Sequence, residues 1–151
     1  MSKVVAASGG FDPLTSGHIE YLEAARKLGD KLIVILNKDQ FLLHKKGSVF
    51  MPYEDRREIL KALGFVDDVI PCIDEDDTVK NTLSQLKPNI FAKGGDRKIN
   101  EIPETPICRK LGIEIVDGLG EKIRASSDLI KKLQEEKKWI KLLLYQVDLI
   151  H

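Results

Sequence analysis

The sequence lacks an excess of charge of either sign, since its 24 lysines and arginines are balanced by 24 aspartates and glutamates. Without a net charge, no overall field would hold a polyanion such as DNA or an anionic membrane surface. Long hydrophobic runs are also missing, and no segment approaches the roughly 20 apolar residues of a membrane span. The first apolar run, close behind Met1, is too short for a signal peptide. We therefore expect a cytoplasmic protein whose partners include neither a nucleic acid nor a membrane.

Disulfide and metal-binding patterns are absent as well. The two cysteines, Cys72 and Cys108, form no CxxC pair and have no nearby pair of histidines, which is typical of reduced thiols in a cytosolic protein. His44 and His151 are isolated and are interpreted as surface groups. No cluster of carboxylates marks a metal cage. We therefore expect no metal site built by the protein itself.

Two familiar phosphate-binding patterns are missing too. The chain contains neither the G-x-G-x-x-G spacing of dinucleotide-binding folds nor the G-K-[ST] of P-loops. If this protein binds a phosphorylated ligand, another arrangement of glycines and helix starts must hold it.

What the sequence does contain is a regular alternation of two kinds of segment. Short β-branched or apolar runs are separated by segments whose apolar residues recur at helical spacing. This order predicts an α/β fold, a doubly wound parallel five-stranded sheet with helices on both faces. The ligand is then expected at the carboxyl ends of the strands, where the winding reverses. The predicted strands are Val4–Ala7, Lys31–Leu36, Val69–Ile73, Asn89–Ala92 and Ile113–Val116.

The chain changes character near its end. We predict one domain over residues 1–137, followed by a helical extension of the same domain over residues 138–151. In this tail Trp139, Leu143, Gln146 and Ile150 follow helical spacing. Such a helix most often caps the core of its own domain. A contact with a second copy, in a homodimer, is the alternative.

The stretch "SGGFDPLTSGHIEYL", Ser8 to Leu22, carries the strongest functional signal. Gly9 and Gly10 end the first strand, and we expect them to adopt turn geometry closed to other residues and to let backbone amides approach a phosphate. Gly17 and His18 open an amphipathic helix whose free amides and dipole favour an anion. This turn is therefore predicted to be the phosphate-binding floor of a nucleotide site.

Three further segments fit the same site. Residues 37–57 read as a long connection that contains more cations than acids. The segment "KGGDR", from Lys93, is predicted to follow the fourth strand, at the same sheet edge as Gly9. Ser126 and Ser127 are predicted to lie at the N-cap and first turn of the last core helix, where hydroxyls and free amides suit phosphate oxygens.

In these motifs the chain resembles the nucleotidylyltransferase superfamily built around an (H/T)xGH motif. "GGFDPLTSGHIEYLEAARKLGDKLIVILNKD" is similar to its opening segment, "PNIFAKGGDR" to a segment of the enzyme that makes ADP-heptose, and "KIRASSDLI" to its closing serine/threonine motif. The superfamily also includes glycerol-3-phosphate cytidylyltransferase and pantetheine-phosphate adenylyltransferase. The resemblance covers about 130 residues in the correct order, and it implies a Rossmann-like fold.

The resemblance also implies a reaction and its residues. A substrate phosphate attacks the α-phosphorus of ATP or CTP, used with Mg²⁺, and pyrophosphate is released. The implied catalytic residues are His18, Thr15 and Lys46. The implied nucleotide-binding residues are Gly9, Gly10, Phe11, Gly17, His18, Lys93, Gly94, Asp96, Arg124, Ser126 and Ser127. The implied ligands of the acceptor phosphate are Asp12, Lys45, Lys46 and Arg56, and the sequence does not decide between the two neighbouring lysines.

The resemblance leaves more than one function open. The motifs favour transfer of AMP or CMP to a sugar or polyol phosphate, most like a heptose-phosphate adenylyltransferase. A glycerol-3-phosphate type of cytidylyltransferase is the nearest alternative. Thr15 stands where many relatives carry a histidine, and Arg124 where relatives often carry an aliphatic residue. A nucleotide-binding regulator without catalysis is therefore the alternative from another class.

Overall fold

The computed structural model describes residues 2–95, 102–120 and 126–150, the last stretch by its backbone alone at 126–130 and 147–150. Strands and helices alternate along nearly the whole chain. The strands are β1 (Val4–Gly9), β2 (Lys31–Leu36), β3 (Asp68–Pro71), β4 (Ile90–Gly94) and β5 (Glu114–Leu119). The helices are α1 (Ser16–Arg26), α2 (Asp39–Lys46), α3 (Tyr53–Ala62), α4 (Lys80–Leu86), α5 (Thr105–Leu111) and α6 (Ser126–Ile150).

The five strands form one parallel sheet in the order β3-β2-β1-β4-β5. The predicted doubly wound fold is confirmed, although β2 alone has the predicted bounds. Among the differences in strand bounds, the one that affects the predicted site is in β4, which extends to Gly94. Lys93 and Gly94 were predicted to follow this strand, and that was wrong, because both still belong to it.

The core lies on both faces of the sheet, as the apolar runs predict. Alternate residues of β1 point to opposite sides: Val5 and Ala7 belong to a cluster with Leu22 of α1 and Leu60 of α3. Ala6 belongs to a second cluster with Leu83 of α4 and Cys108 of α5. Helices α1 and α3 therefore cover one face, while α4 and α5 cover the other.

The winding of the sheet reverses between β1 and β4, which are neighbours although half the described chain separates them. Parallel strands end at the same edge, so the carboxyl ends of β1, β2 and β4 lie side by side. A crevice forms at such a reversal because the connections on its two sides leave in opposite directions. The residues that follow β1 and β2 therefore frame one site.

The prediction that residues 37–57 form one long connection was wrong, because helix α2 occupies residues Asp39–Lys46. The helix ends at Gly47, whose φ of 79° places it in the left-handed region that favours glycine. Only Leu42 of this helix is buried. Eight residues with one buried position leave too weak a periodic pattern to recognise in the sequence.

The tail does not cap the core along residues 131–146, where α6 is exposed throughout. Its apolar side chains stand in solvent, with Trp139 68% and Leu143 58% exposed. The helix has 25 residues and is therefore about 37 Å long. A strand of six residues spans roughly 20 Å, so the helix is much longer than the strands of the sheet. The described part of the chain contains no helix both long and apolar enough to cross a membrane.

Candidate functional site

His18 is held at the start of α1 by a reciprocal pair of hydrogen bonds with Thr15. The backbone amide of His18 donates to Oγ1 of Thr15 at 3.3 Å, and the amide of Thr15 donates to Nδ1 of His18 at 3.1 Å. Thr15 is the N-cap, so the two residues form a capping box in which an imidazole replaces the usual glutamate. The T-x-x-H spacing thus begins the helix and also fixes the imidazole.

This arrangement determines which imidazole nitrogen carries the proton. An amide N–H can only donate, so Nδ1 of His18 must accept, and the proton of the neutral ring sits on Nε2. Burial also lowers the pKa of His18, because a partly dehydrated ring disfavours the charged form. The geometry favours a neutral imidazole that presents Nε2–H.

The imidazole lies on the wall of a cavity of about 180 Å³ at the carboxyl ends of β1 and β4. We call this the imidazole cavity. The ring of Phe11 meets the imidazole edge to face, with 5.1 Å between ring centroids. Phe11 itself has a φ of 49°, so the chain turns sharply there. The lining residues are Ser8, Gly9, Gly10, Phe11, His18, Tyr21, Lys93 and Gly94.

One part of the prediction for Gly9 and Gly10, their backbone geometry, was wrong, while the approach of backbone amides to a phosphate stays a prediction. The positive φ lies at Phe11 and not at either glycine, so the expectation of special glycine backbone geometry was wrong. What a side chain would meet is a neighbour: a Cβ at Gly9 would lie 2.9 Å from Cζ of Phe11, and one at Gly10 would lie 2.8 Å from Cδ2 of Leu42. The glycines therefore permit close packing of Phe11 and α2 against the end of β1.

Asp12 is almost fully buried and joins the first turn to the segment before α3. Its two carboxylate oxygens accept the amide hydrogens of Phe50 at 2.8 Å and Met51 at 2.6 Å, and Lys46 Nζ lies 2.9 Å from Oδ2. Burial alone would raise the pKa of Asp12, but the two amides and the Lys46 ammonium outweigh it and lower the pKa. In the structure Asp12 binds the protein's own donors, and a direct role toward an acceptor phosphate stays a prediction.

Arg56 is also buried, with none of its side chain exposed. Its guanidinium donates to the carbonyl oxygens of Gly10 at 2.8 Å and Asn37 at 2.7 Å, and to that of Met51 at 2.9 Å. A fourth bond reaches Oδ1 of Asp39 at 2.6 Å. In this conformation the group predicted to bind the acceptor phosphate ties together the ends of β1 and β2. Its role toward a substrate stays a prediction.

The two neighbouring lysines of α2 differ in position. Lys46 donates to the main-chain oxygen of Asp12 at 2.7 Å as well as pairing with its carboxylate. Lys45 is exposed, lies 5.6 Å from the ring centroid of Phe41 and lines a second cavity beside the first. The structure therefore separates a lysine that is held near the first turn from an exposed one that lines the second cavity.

The remaining predicted nucleotide ligands are only partly described. Lys93 and Gly94 line the imidazole cavity, whereas Gly17 lies in the first turn of α1. Asp96 and Arg124 lie outside the described residues. Ser126 and Ser127 are the first two residues of α6, known here by backbone alone. Within the described stretches, no group of three or more His, Cys, Asp or Glu side chains is placed to hold a metal ion.

Two residues of the site were missed by the sequence analysis. Tyr21 is buried and its hydroxyl donates to the carbonyl oxygen of Ala92 at 2.6 Å, which joins α1 to β4 below the imidazole cavity. Its position one residue before Leu22, on the apolar side of α1, was the available signal. Glu104 is 2% exposed and lines the second cavity. An acid between two prolines carries no sequence signal of burial.

Comparisons with known proteins agree with this geometry. The family model described as Cytidylyltransferase-like matches residues 6–144. The chain is 36% identical to the Bifunctional protein HldE of Campylobacter concisus (strain 13826), over 138 residues that make up 89% of this chain and 28% of that protein. It is 38% identical to the protein of the same name from Escherichia coli (strain K12 / DH10B), over 90% of this chain and 28% of the relative. The chain thus spans between a quarter and a third of these relatives' length.

Two solved structures share the fold. The lipopolysaccharide core biosynthesis protein from Thermoplasma volcanium GSS1 is 29% identical, with a TM-score of 0.66 over 81% of this chain and 100% of that one. The NadR protein, solved in complex with NAD and AMP-PNP, has a TM-score of 0.54 over 90% of this chain and 42% of its own. At 17% identity the NadR likeness shows the fold alone. The family match and the relatives confirm the resemblance found in the motifs: the chain belongs to the cytidylyltransferase-like family of nucleotidyltransferases.

Proposed function

We propose that this protein transfers a nucleoside monophosphate, AMP or CMP, from the triphosphate to a sugar or polyol phosphate and releases pyrophosphate. One observation carries this proposal: the imidazole of His18 lies on the wall of a cavity at the carboxyl ends of β1 and β4, and its Nδ1 accepts from the Thr15 amide, which leaves Nε2–H as the donor of the neutral ring. A fixed donor of this kind stabilises negative charge as it develops on phosphate oxygens. Its position is set before substrate arrives, because the capping box already holds the ring.

The chemistry needs positioning and charge neutralisation more than a covalent nucleophile. An oxygen of the acceptor phosphate attacks the α-phosphorus, the bond from that phosphorus to the bridging oxygen breaks, and pyrophosphate leaves with the electron pair. His18 Nε2–H donates to the phosphate oxygens while charge builds on the bridging oxygen. Lys46, Lys93 and Lys45 supply the positive charge that two meeting anions require.

The nucleotide is proposed to enter with Mg²⁺ as part of the substrate. Magnesium keeps several waters and binds through phosphate oxygens together with few protein groups. Asp96, Arg124, Ser126 and Ser127 are proposed to complete the nucleotide site, on the resemblance of their motifs alone. Because nucleoside triphosphates are cytoplasmic metabolites, the reaction is proposed to take place in the cytoplasm.

The acceptor is proposed to be a sugar phosphate of the heptose-phosphate type. The support is the "KGGD" segment from Lys93 and the likeness to proteins named for HldE and for lipopolysaccharide core biosynthesis. Glycerol 3-phosphate with CTP is the alternative acceptor and donor. A nucleotide-binding regulator would bind the triphosphate without turning it over.

A screen for pyrophosphate release tests the proposal. Each of the four nucleoside triphosphates is combined with Mg²⁺ and a panel of sugar and polyol phosphates, with wild type, His18→Ala and His44→Ala compared. His44 is an exposed histidine on α2 and serves as the matched control. We expect turnover with ATP or CTP, a loss of at least a hundredfold in kcat for His18→Ala and no loss for His44→Ala. Tight nucleotide binding without turnover on any acceptor would support the regulator instead.

A further inference from the structure

The second cavity, of about 290 Å³, adjoins the imidazole cavity and is lined by charges of both signs. Ser8, Gly9, Gly10 and Lys93 line both spaces, so a molecule in the second cavity reaches the edge of the first. Lys45 of α2 and Glu104, just before α5, contribute opposite charges to its wall. We call this space the acceptor cavity.

Glu104 is a buried acid of this cavity whose carboxylate is not fully hydrogen-bonded by the described residues. It is 2% exposed, and its Oε2 atom has no hydrogen-bond partner among the described residues. The other oxygen, Oε1, lies 4.0 Å from Nζ of Lys93, beyond hydrogen-bond distance. A buried carboxylate oxygen without a donor is costly, and such groups are rare in folded proteins unless a ligand or water completes them.

The chemistry of the missing donor follows from the cavity. A carboxylate accepts hydrogen bonds and repels a phosphate, so the anionic end of a substrate belongs beside Lys45 and not beside Lys93, which lies 4.0 Å from Glu104. The end that approaches Glu104 must carry hydrogen-bond donors without negative charge. Hydroxyl groups of a sugar or polyol meet that requirement, and one carboxylate can accept from two of them.

We propose that Glu104 is a specificity-determining residue that accepts hydrogen bonds from hydroxyl groups of the acceptor held in the acceptor cavity. This inference rests on the proposed function and adds the residue that selects a polyhydroxylated acceptor. A site built to bind a hydroxyl strongly rejects an analogue that lacks it, because the buried acceptor is then left without a donor.

The test compares acceptors that differ by one hydroxyl, in wild type and in Glu104→Gln. The pairs are mannose 1-phosphate with 2-deoxyglucose 1-phosphate, and glycerol 3-phosphate with 3-hydroxypropyl phosphate. For at least one pair we expect wild type to lose about tenfold to a hundredfold in kcat/KM when the hydroxyl is absent. In Glu104→Gln we expect kcat/KM for the hydroxylated acceptor to fall toward kcat/KM for its analogue, while the KM for the nucleotide stays unchanged.

Controls separate recognition from folding. Glu54→Gln, on α3 with 74% of its side chain exposed, should keep the wild-type hydroxyl preference. If Glu104→Gln does not fold, Glu104→Met fills a similar volume without charge and should also lose the preference. A Glu104 variant that folds and keeps the wild-type preference would overturn the inference, as would a change confined to the nucleotide KM.

The same pairs distinguish a failure of this inference from a failure of the proposed function. If wild type releases no pyrophosphate with any acceptor, the proposed function fails. Calorimetric titration of the same pairs then decides the inference by itself. Tighter binding of the hydroxylated member by wild type, and equal binding of both members by Glu104→Gln, supports it. Equal binding of both members by wild type overturns it.

Discussion

The side chain of His18 has two roles, because Nδ1 takes part in the cap of α1 while the ring lies on the wall of the imidazole cavity. Protonation of Nδ1 would turn a hydrogen bond from the Thr15 amide into a contact between two donors. The cap therefore requires the neutral ring, which is also the form that burial favours. The same side chain thus takes part in the helix cap and provides the proposed catalytic donor.

This coupling predicts a pH effect with a definite sign. The pKa of His18 lies below its value in the unfolded chain, about 6.5, so the unfolded state takes up this proton first as the pH falls. Stability is full above about pH 6.5 and declines as the pH drops from there toward the folded pKa. Nitrogen-15 NMR of the imidazole during a pH titration should show the proton on Nε2 and a midpoint below about 6.5, the ordinary value for histidine. A midpoint above about 6.5 would contradict the geometry.

Arg56 gives a second prediction at the scale of one residue. Its guanidinium satisfies three carbonyl oxygens and a carboxylate, whereas a lysine ammonium cannot reach all four from one point. Arg56→Lys should lower the free energy of unfolding by about 2 to 4 kcal/mol, measured by urea denaturation. Arg57→Lys, at a neighbouring residue with a 4.0 Å ion pair, should change it by less than about 0.5 kcal/mol. Equal effects would mean that the hydrogen bonds of Arg56 contribute little.

Residue roles were predictable only where the sequence carried a local pattern. The start of a helix at Gly17 and His18 could be predicted from the local pattern, whereas the roles of Thr15 and His18 in catalysis are implied by the resemblance and stay predictions. The carboxylate of Asp12 accepts from Phe50 and Met51, 38 and 39 positions away, and no periodicity reports on partners at that separation. The burial of Arg56 and Glu104 escaped prediction for the same reason.

At the scale of elements, the first turn of α1 shows how a cap positions a functional side chain. The Thr15 hydroxyl accepts the amide of His18, one of the helix-start amides without a partner inside the helix. Helix α2 matters in a similar way, since it places both lysines near the end of β1. Its existence was not predicted because one buried leucine cannot establish a helical period.

Replacement of the cap tests this connection. Thr15→Ala should cost about 1 kcal/mol of stability and lower turnover less than His18→Ala does, because the backbone bond to Nδ1 remains. Thr15→Ser keeps the hydroxyl and should retain nearly all of the wild-type stability and turnover. Thermal unfolding and pyrophosphate release measured on the same preparations provide the comparison. If Thr15→Ser lost as much stability and turnover as Thr15→Ala, the hydroxyl would not be the group that supports them.

For the whole molecule, the alternation of apolar runs and helical segments was enough to predict the fold. Each buried strand reads as a continuous apolar run, and the parallel arrangement follows because a helix separates successive strands. The behaviour of α6 could not be predicted in this way. A spacing pattern shows that a helix has apolar residues, but it does not show whether the core has surface left to cover them.

The exposure of residues 131–146 leads to a prediction for the whole chain. A variant that ends at Lys137 removes Trp139 and Leu143, which are exposed and belong to neither core cluster. We therefore expect its melting temperature to stay within about 2 °C of wild type, since exposed residues contribute little to the folded state. The truncated and full chains should be compared at several concentrations, with sedimentation measured beside thermal unfolding. A concentration-dependent loss of stability on truncation would mean that a second copy covers the helix, as a homodimer contact requires. A loss of more than about 5 °C in a chain that sediments as a monomer would instead place these residues against their own core, contrary to the structure.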